Sequence, residues 1–266
     1  MCRHLAYLGP PATLRSVIIE PPHGLYTQAW APRQQRYGTV NADGFGVGWY
    51  AAGDPDPARY RRTGPIWGDE SFADVARVTQ AGAILGAVRS ATAGTDPGLA
   101  AVAPFAAGSW LFSHNGVIAG WPEAAAALAA TLDARLLLAL AARVDSALLW
   151  ALVLDRLRRG LGPAEALTDT IGALDAAGVT GRFNFLLTDG QVIAGTAAGD
   201  TLWYRPGLGV VVASEPGDDE PGWTQVPPCS VITATPQQVS VMKLSRSTGS
   251  GQEMAQEMAD GRIPTR

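Results

Sequence analysis

The order of periodicities along this 266-residue chain restricts its fold more than any single residue does. Short strand-like runs fill residues 1–120, helical runs fill the middle, and strand-like runs return before the end. HLAYL, GVGWY, AILGAV and WLFSH make up the first block, separated by Gly- and Pro-rich stretches such as EPPHG, AAGDPDPA and AGTDPG. In the middle, WPEAAAALAATL has Pro122 placed for a first helical turn. DSALLWALVLDRLRRG has a start signal at Asp145 or Ser146 and a stop at Gly160, and PAEALTDTIGALDAAG runs from Pro163 to Gly178. RFNFLLTDGQVIAGTA then reads as a hairpin on a two-residue Asp189-Gly190 turn, and LWYRPG, GVVVAS, SVITATP and QVSVMKL follow. A parallel sheet needs strand and helix to alternate, which these blocks do not do, and the hairpin favours antiparallel pairing. The expectation is an α+β protein whose sheets are covered by helices. One domain over residues 2–245 accounts for the patterned part, and the polar residues 246–266 read as a flexible tail.

Composition narrows the class. At 47% hydrophobic, 17% charged and a net charge of -4, the chain has the make-up of a soluble enzyme and no basic block for nucleic acid. Its most basic cluster, RLRRG at 156–160, suits a helix C-terminus. The most apolar stretch, LLLALAARVDSALLWALVL, is interrupted by Arg143 and Asp145, too polar for a membrane span. Arg3 and His4 are followed by only a brief apolar run, so no signal peptide is read. Two distant cysteines do not form a disulfide scaffold, and a reducing cytoplasm is expected.

One of those cysteines stands directly after the initiator Met. If Met1 is removed, Cys2 carries both a thiol nucleophile and an α-amine of pKa about 7.7–8.0, low enough to serve as its base. SHNG at 113–116 reads either as a turn after the WLF strand or as an oxyanion hole built from the Asn115 amide and Gly116. In VRSAT, Arg89 is either an exposed strand-end arginine or a clamp for a carboxylate, with the Thr92 hydroxyl beside it. Asp145 is either a helix N-cap or a partner for a substrate ammonium group. NADGFGVGWY lacks the spacing of a phosphate loop and reads as glycine-rich strand backbone passing close to a nucleophile. Cys2 and His4 have no second ligand pair at metal spacing, and His23 and His114 are isolated, so neither metal nor cofactor is expected. Cys229 reads as a small buried apolar residue.

Taken in order, MCRHL, NADGFGVGW, VRSAT, SHNG and VDS resemble the class II glutamine amidotransferase domains, which are N-terminal-nucleophile hydrolases. The resemblance implies a four-layer αββα sandwich and Cys2 as nucleophile, with its α-amine as base. It assigns Asn115 and Gly116 to the oxyanion hole, Arg89 and Thr92 to the γ-glutamyl α-carboxylate, and Asp145 to its α-ammonium. PPHGLYTQAWAPRQQRYGTVNADGFGVGWY and VVVASEPGDDEPGWTQVPP resemble the stand-alone hydrolases of ergothioneine biosynthesis, which remove glutamate from γ-glutamyl-hercynylcysteine sulfoxide. Glutamine-using relatives often carry Trp after the clamp arginine and His after the threonine. Here Ser90 and Ala93 stand there, leaving room for a leaving group bulkier than ammonia. Three alternatives stay open: a hydrolase of glutathione-type peptides, a glutaminase subunit supplying ammonia to a partner, and a catalytically silent γ-glutamyl-binding protein. The partner implied is a small-molecule γ-glutamyl substrate. Nucleic acid and membrane are excluded, and homo-oligomerisation is left open. Trp30, Tyr37 and Trp223 are the aromatic candidates for the trimethylated histidine moiety.

Overall fold

The computed structural model describes residues 2–91 and 98–244. The chain opens with β1 (Cys2–Thr13), then α1 (Leu14–Ile18) and α2 (Leu25–Gln28). Next come β2 (Gly44–Trp49), β3 (Ala58–Arg62), α3 (Glu70–Val78) and β4 (Gln80–Arg89). β5 (Phe105–Ala107) and β6 (Trp110–Ile118) lead into the helices α4 (Ala126–Ala129), α5 (Ala134–Leu138), α6 (Asp145–Arg158) and α7 (Pro163–Ala176). β7 (Gly181–Thr188), β8 (Ile193–Ala197), β9 (Trp203–Pro206) and β10 (Val210–Ala213) follow, then β11 (Thr224–Gln225), β12 (Ser230–Ala234) and β13 (Val239–Lys243). Residues 246–266 and Thr92, on which sequence expectations rest, lie outside the described residues, and no described helix is long and apolar enough to cross a membrane.

Among the described residues the strands form two antiparallel sheets. One has the order β11-β9-β10-β1-β4-β2-β3 and the other β13-β12-β8-β7-β6-β5. Period-2 alternation of apolar side chains gives each sheet two buried faces. In the first sheet Leu5, Phe45 and Ile84 pack under the short helices with Leu14, Leu25 and Phe72. Their strand neighbours Ala6 and Leu85 turn the other way and meet Leu111, Leu186 and Ile232 of the second sheet. On that sheet's far side Phe112 and Phe185 pack against Leu148 and Trp150 of α6 and Leu167 and Ile171 of α7. The layering is therefore αββα, with β1 inside the first sheet and β6 inside the second, facing each other.

Several local readings are corrected. WPEAAAALAATL does not form one helix: Pro122 precedes a single 3-10 turn, Glu123–Ala125, and then the short α4. The Asp189-Gly190 connection spans four residues, since Thr188 pairs with Ile193. Asp189 Oδ1 accepts the N–H groups of Gln191 and Val192, closing the wider loop. The glycines of β2 do not line a nucleophile, because β4 separates β2 from β1. A Cβ on Gly46 would run into the Ala103 carbonyl, and one on Gly48 would reach within 2.7 Å of Leu111. Cys229 is half-buried, at φ 56°, rather than a core residue. β3 and the three helices under the first sheet were not legible: β3 is a charged edge strand, ARYRR, with no apolar alternation.

Candidate active site

Cys2 is the first residue of β1, and strand register sets it opposite Arg89, the last residue of β4. Across the gap between the sheets, its backbone N–H donates to Asn115 Oδ1 of β6 at 3.2 Å. Residues 2 and 115 are thus joined by the facing of two sheets, not by any local pattern. SHNG is not a turn: β6 runs through it, and Asn115 pairs with Asn184 of β7.

These two buried asparagines differ in a way that bears on chemistry. The Asn184 amide is fully used: its Oδ1 accepts from the backbone N–H groups of Ala198 and Asp200, and its Nδ2 donates to the carbonyls of Asp200 and Thr201. The Asn115 amide spends its oxygen on Cys2 but leaves Nδ2 buried with no hydrogen-bond partner among the described residues. An unmade buried donor costs about 1–3 kcal/mol, so this one is held ready at a cost to the fold. Beside it, Gly116 admits no side chain, because a Cβ there would run into the Arg182 carbonyl oxygen and come within 2.6 Å of His114 Nε2.

Cys2, Arg89, Ser90, Gly116, Asp145 and Ser146 line one small cleft. Asp145 is the first residue of α6; the capping position belongs to Val144. Its Oδ2 accepts from the Ile118 N–H at 3.0 Å and its Oδ1 from the Ser146 N–H at 2.7 Å, which fixes the carboxylate against the end of β6. Ser146 Oγ in turn lies 2.9 Å from His114 Nδ1, and His114 Nε2 lies 2.9 Å from the Arg182 carbonyl oxygen. A carbonyl only accepts, so Nε2 carries the ring proton and Nδ1 accepts from the serine hydroxyl. Burial lowers the His114 pKa against the opposing pull of Asp145, which keeps this tautomer neutral. His4, on the same face of β1 as Cys2, is wholly buried with Nδ1 3.2 Å from Ser113 Oγ. Burial pushes its pKa well below that of a free histidine, and the charge of Arg3 adds to this.

The structure thus brings Cys2, Arg89, Asn115, Gly116 and Asp145 to one place, while Thr92 is outside the described residues. Three further residues were missed by sequence reasoning. Asp43 accepts from the Ala91 N–H at 2.7 Å while its own N–H donates to the Arg89 carbonyl, so it pins the strand end that carries Arg89. Arg3 is wholly buried, and Arg182 stands one strand position beyond the Gly116 partner. A charge next to Cys2 was a visible signal for Arg3, but nothing in RFNF marked Arg182. Among the described residues no three His, Cys, Asp or Glu side chains cluster as a metal site.

Comparison with known proteins bears on this geometry. Residues 25–206 match the family described as class-II glutamine amidotransferases. The γ-glutamyl-hercynylcysteine sulfoxide hydrolase of Mycobacterium tuberculosis is 40% identical over 252 residues, 94% of this chain and 99% of that protein. Its counterpart from Mycolicibacterium smegmatis is 42% identical over 231 residues, 85% of this chain and 92% of that protein. A glutamine aminotransferase class-II domain protein from Silicibacter pomeroyi superposes with a TM-score of 0.68 at 26% identity, covering 92% of this chain and all of that one. The glutamine phosphoribosylpyrophosphate amidotransferase of B. subtilis shares the fold, at a TM-score of 0.62 and 16% identity, over 92% of this chain and half of that one.

Proposed function

The chain belongs to the class II glutamine amidotransferases, and within that family we propose that it hydrolyses the γ-glutamyl amide bond of γ-glutamyl-hercynylcysteine sulfoxide, releasing glutamate and hercynylcysteine sulfoxide. The near full-length identity to hydrolases of that name supports the substrate. The observation that carries the chemistry is the Asn115 amide, its oxygen on the Cys2 nitrogen and its buried Nδ2 unspent.

With Met1 removed, the Cys2 nitrogen is the α-amine. Asn115 Oδ1 accepts one of its hydrogens, which turns the nitrogen lone pair toward the thiol it is to deprotonate. The thiolate attacks the γ-carbonyl carbon. The carbonyl oxygen takes on negative charge against Asn115 Nδ2 and the Gly116 N–H. The α-ammonium returns its proton to the departing cysteine-derived nitrogen, and water then hydrolyses the γ-glutamyl thioester. Arg89, with Thr92, holds the glutamyl α-carboxylate, and Asp145 the α-ammonium. One cation and one anion, each buried enough to be weakly screened, read the two charges of an amino acid at once. Both cysteines are free thiols, which suits the cytoplasmic setting that is part of this proposal.

Glutamate release from γ-glutamyl-hercynylcysteine sulfoxide, glutathione and glutamine, offered side by side, tests the reading. Preference for the first is expected, and preference for either of the others overturns the substrate. Intact mass is expected to show loss of Met1, and Cys2→Ala is expected to abolish turnover; appreciable residual hydrolysis would remove Cys2 from its role.

A further inference from the structure

We propose that Arg182 binds the α-carboxylate of the leaving amino acid, so that this site selects γ-glutamyl amides whose amine partner carries a carboxylate. The inference rests on the hydrolase reading above. It concerns the side of Cys2 that Arg89 and Asp145 leave untouched.

The chemistry of the substrate makes the demand. In a γ-glutamyl amide of an amino acid, the scissile nitrogen is bonded to a Cα that carries the carboxylate. Two bonds place that anion about 2.5 Å from the nitrogen. It must therefore be accommodated beside the oxyanion hole itself. Glutamine, whose leaving group is ammonia, makes no such demand.

Register brings Arg182 within a side chain's reach of that place, just outside the small cleft that Cys2, Gly116 and Asp145 line. Arg182 pairs with Val117 while Asn115 pairs with Asn184, so Arg182 is the diagonal cross-strand neighbour of Asn115, about 7–8 Å away at Cα. Alternation sends its side chain to the same face as Asn184 and Leu186, toward the gap between the sheets. The side chain is already posed. Nε donates to Asp200 Oδ2 at 3.1 Å, and the guanidinium lies 4.4 Å from the centre of the Tyr37 ring. Its two terminal nitrogens make no hydrogen bond among the described residues, and 21% of the side chain is exposed. A fork held at Nε and stacked on one face presents its remaining edge to a carboxylate with little ordering left to do.

A second cation lies behind it. Arg3, one residue from Cys2, is wholly buried, donates through Nε to Gln35 at 3.1 Å, and has both terminal nitrogens without a partner. Arg3 feels the attraction of Glu215 and Asp200 more than the repulsion of Arg182, although among the described residues neither carboxylate makes an ion pair with it. By alternation Arg3 shares the face of β1 with Leu5, opposite Cys2 and His4, so it adds positive charge from behind, and the guanidinium N–H groups offered in the gap are those of Arg182.

The test compares γ-glutamylcysteine with its C-terminal carboxamide as substrates for the wild type, Arg182→Met and Arg182→Lys. The wild type is expected to favour the acid by about tenfold or more in kcat/KM, as a charge-assisted pair would give. Arg182→Met is expected to bring the two substrates within about twofold, and Arg182→Lys to retain part of the preference. Because acid and amide are compared within one protein, a loss of folded enzyme lowers both and leaves the ratio intact. Equal loss on both substrates in Arg182→Met, or no preference in the wild type, overturns this inference and leaves the hydrolase reading standing. Failure of the wild type to release glutamate from any γ-glutamyl compound overturns the hydrolase reading, and this inference with it.

Discussion

Replacing Asn115 by Ala should cost more in catalysis than in stability, because it removes both the oxygen that holds the Cys2 nitrogen and the Nδ2 kept for the oxyanion. The oxygen makes one neutral hydrogen bond at 3.2 Å, to the Cys2 nitrogen. Losing it, and leaving that nitrogen unpartnered, costs the fold about 1–3 kcal/mol. The Nδ2 group makes no bond in the resting protein, so its removal takes nothing from the folded state and even relieves a buried unpaired donor. In the reaction that same group meets an oxygen gaining negative charge, where one donor is worth about 3–4 kcal/mol, or roughly 10²–10³ in rate. Since the donor acts only as charge develops, the loss should fall on kcat and leave KM nearly unchanged. Steady-state glutamate release gives both constants, and thermal denaturation gives the stability. A kcat within tenfold of wild type in a folded variant would refute the oxyanion role. So would a raised KM with kcat intact.

Asp145→Asn keeps the shape but removes the charge and turns an NH₂ toward either the Ile118 or the Ser146 N–H; KM is expected to rise by about 100-fold or more with a smaller change in kcat. Gly116→Ala should cost about 1–3 kcal/mol or more in denaturant unfolding, since its methyl collides with main-chain oxygen that a paired strand cannot move. His4 and His114 are both buried with pKa values lowered from about 6.5, so the unfolded chain binds more protons than the folded one as pH falls past that value. Their contribution to stability is whole above about pH 7 and is lost on acidification, by up to about 1.4 kcal/mol per pH unit for each. Melting temperatures between about pH 7.5 and 5.5 should fall accordingly, and His4→Gln should flatten the curve; an unchanged slope would show that His4 is not held neutral.

Most of the candidate residues were legible because each sits in a short stretch whose residue types have few other uses together. Cys2, Arg89, Asn115, Gly116 and Asp145 were all named from MCRHL, VRSAT, SHNG and VDS; four of them line one cleft, and Asn115 holds the Cys2 nitrogen beside it. Local conformation was less legible. Asn115-Gly116 has the composition of a turn, yet pairing with β7 on one side and packing on β1 on the other hold it extended. Pro122 looks like a first helical residue, but it precedes a single 3-10 turn, and the polyalanine run behind it stops after one short helix. Of the helices under the first sheet, α1 and α2 escaped notice because five- and four-residue helices carry too little periodicity to read, whereas the nine-residue α3 did carry a start signal in its cap Asp69.

The sequence by itself determined which groups were on hand and that strands, then helices, then strands would have to stack in layers, since hydrophobic period and residue chemistry are properties of short stretches. Only the tertiary structure decided which groups meet. The Cys2 nitrogen reaches Asn115 because two separate sheets face each other, and Arg3 and Arg182 become unspent donors because a register and a loop bury one and pose the other. The contacts of Cys2 with Asn115 and of Arg182 with Tyr37 join residues more than a hundred positions apart. Their geometry is set by the packing of two apolar sheet faces, which no local pattern encodes.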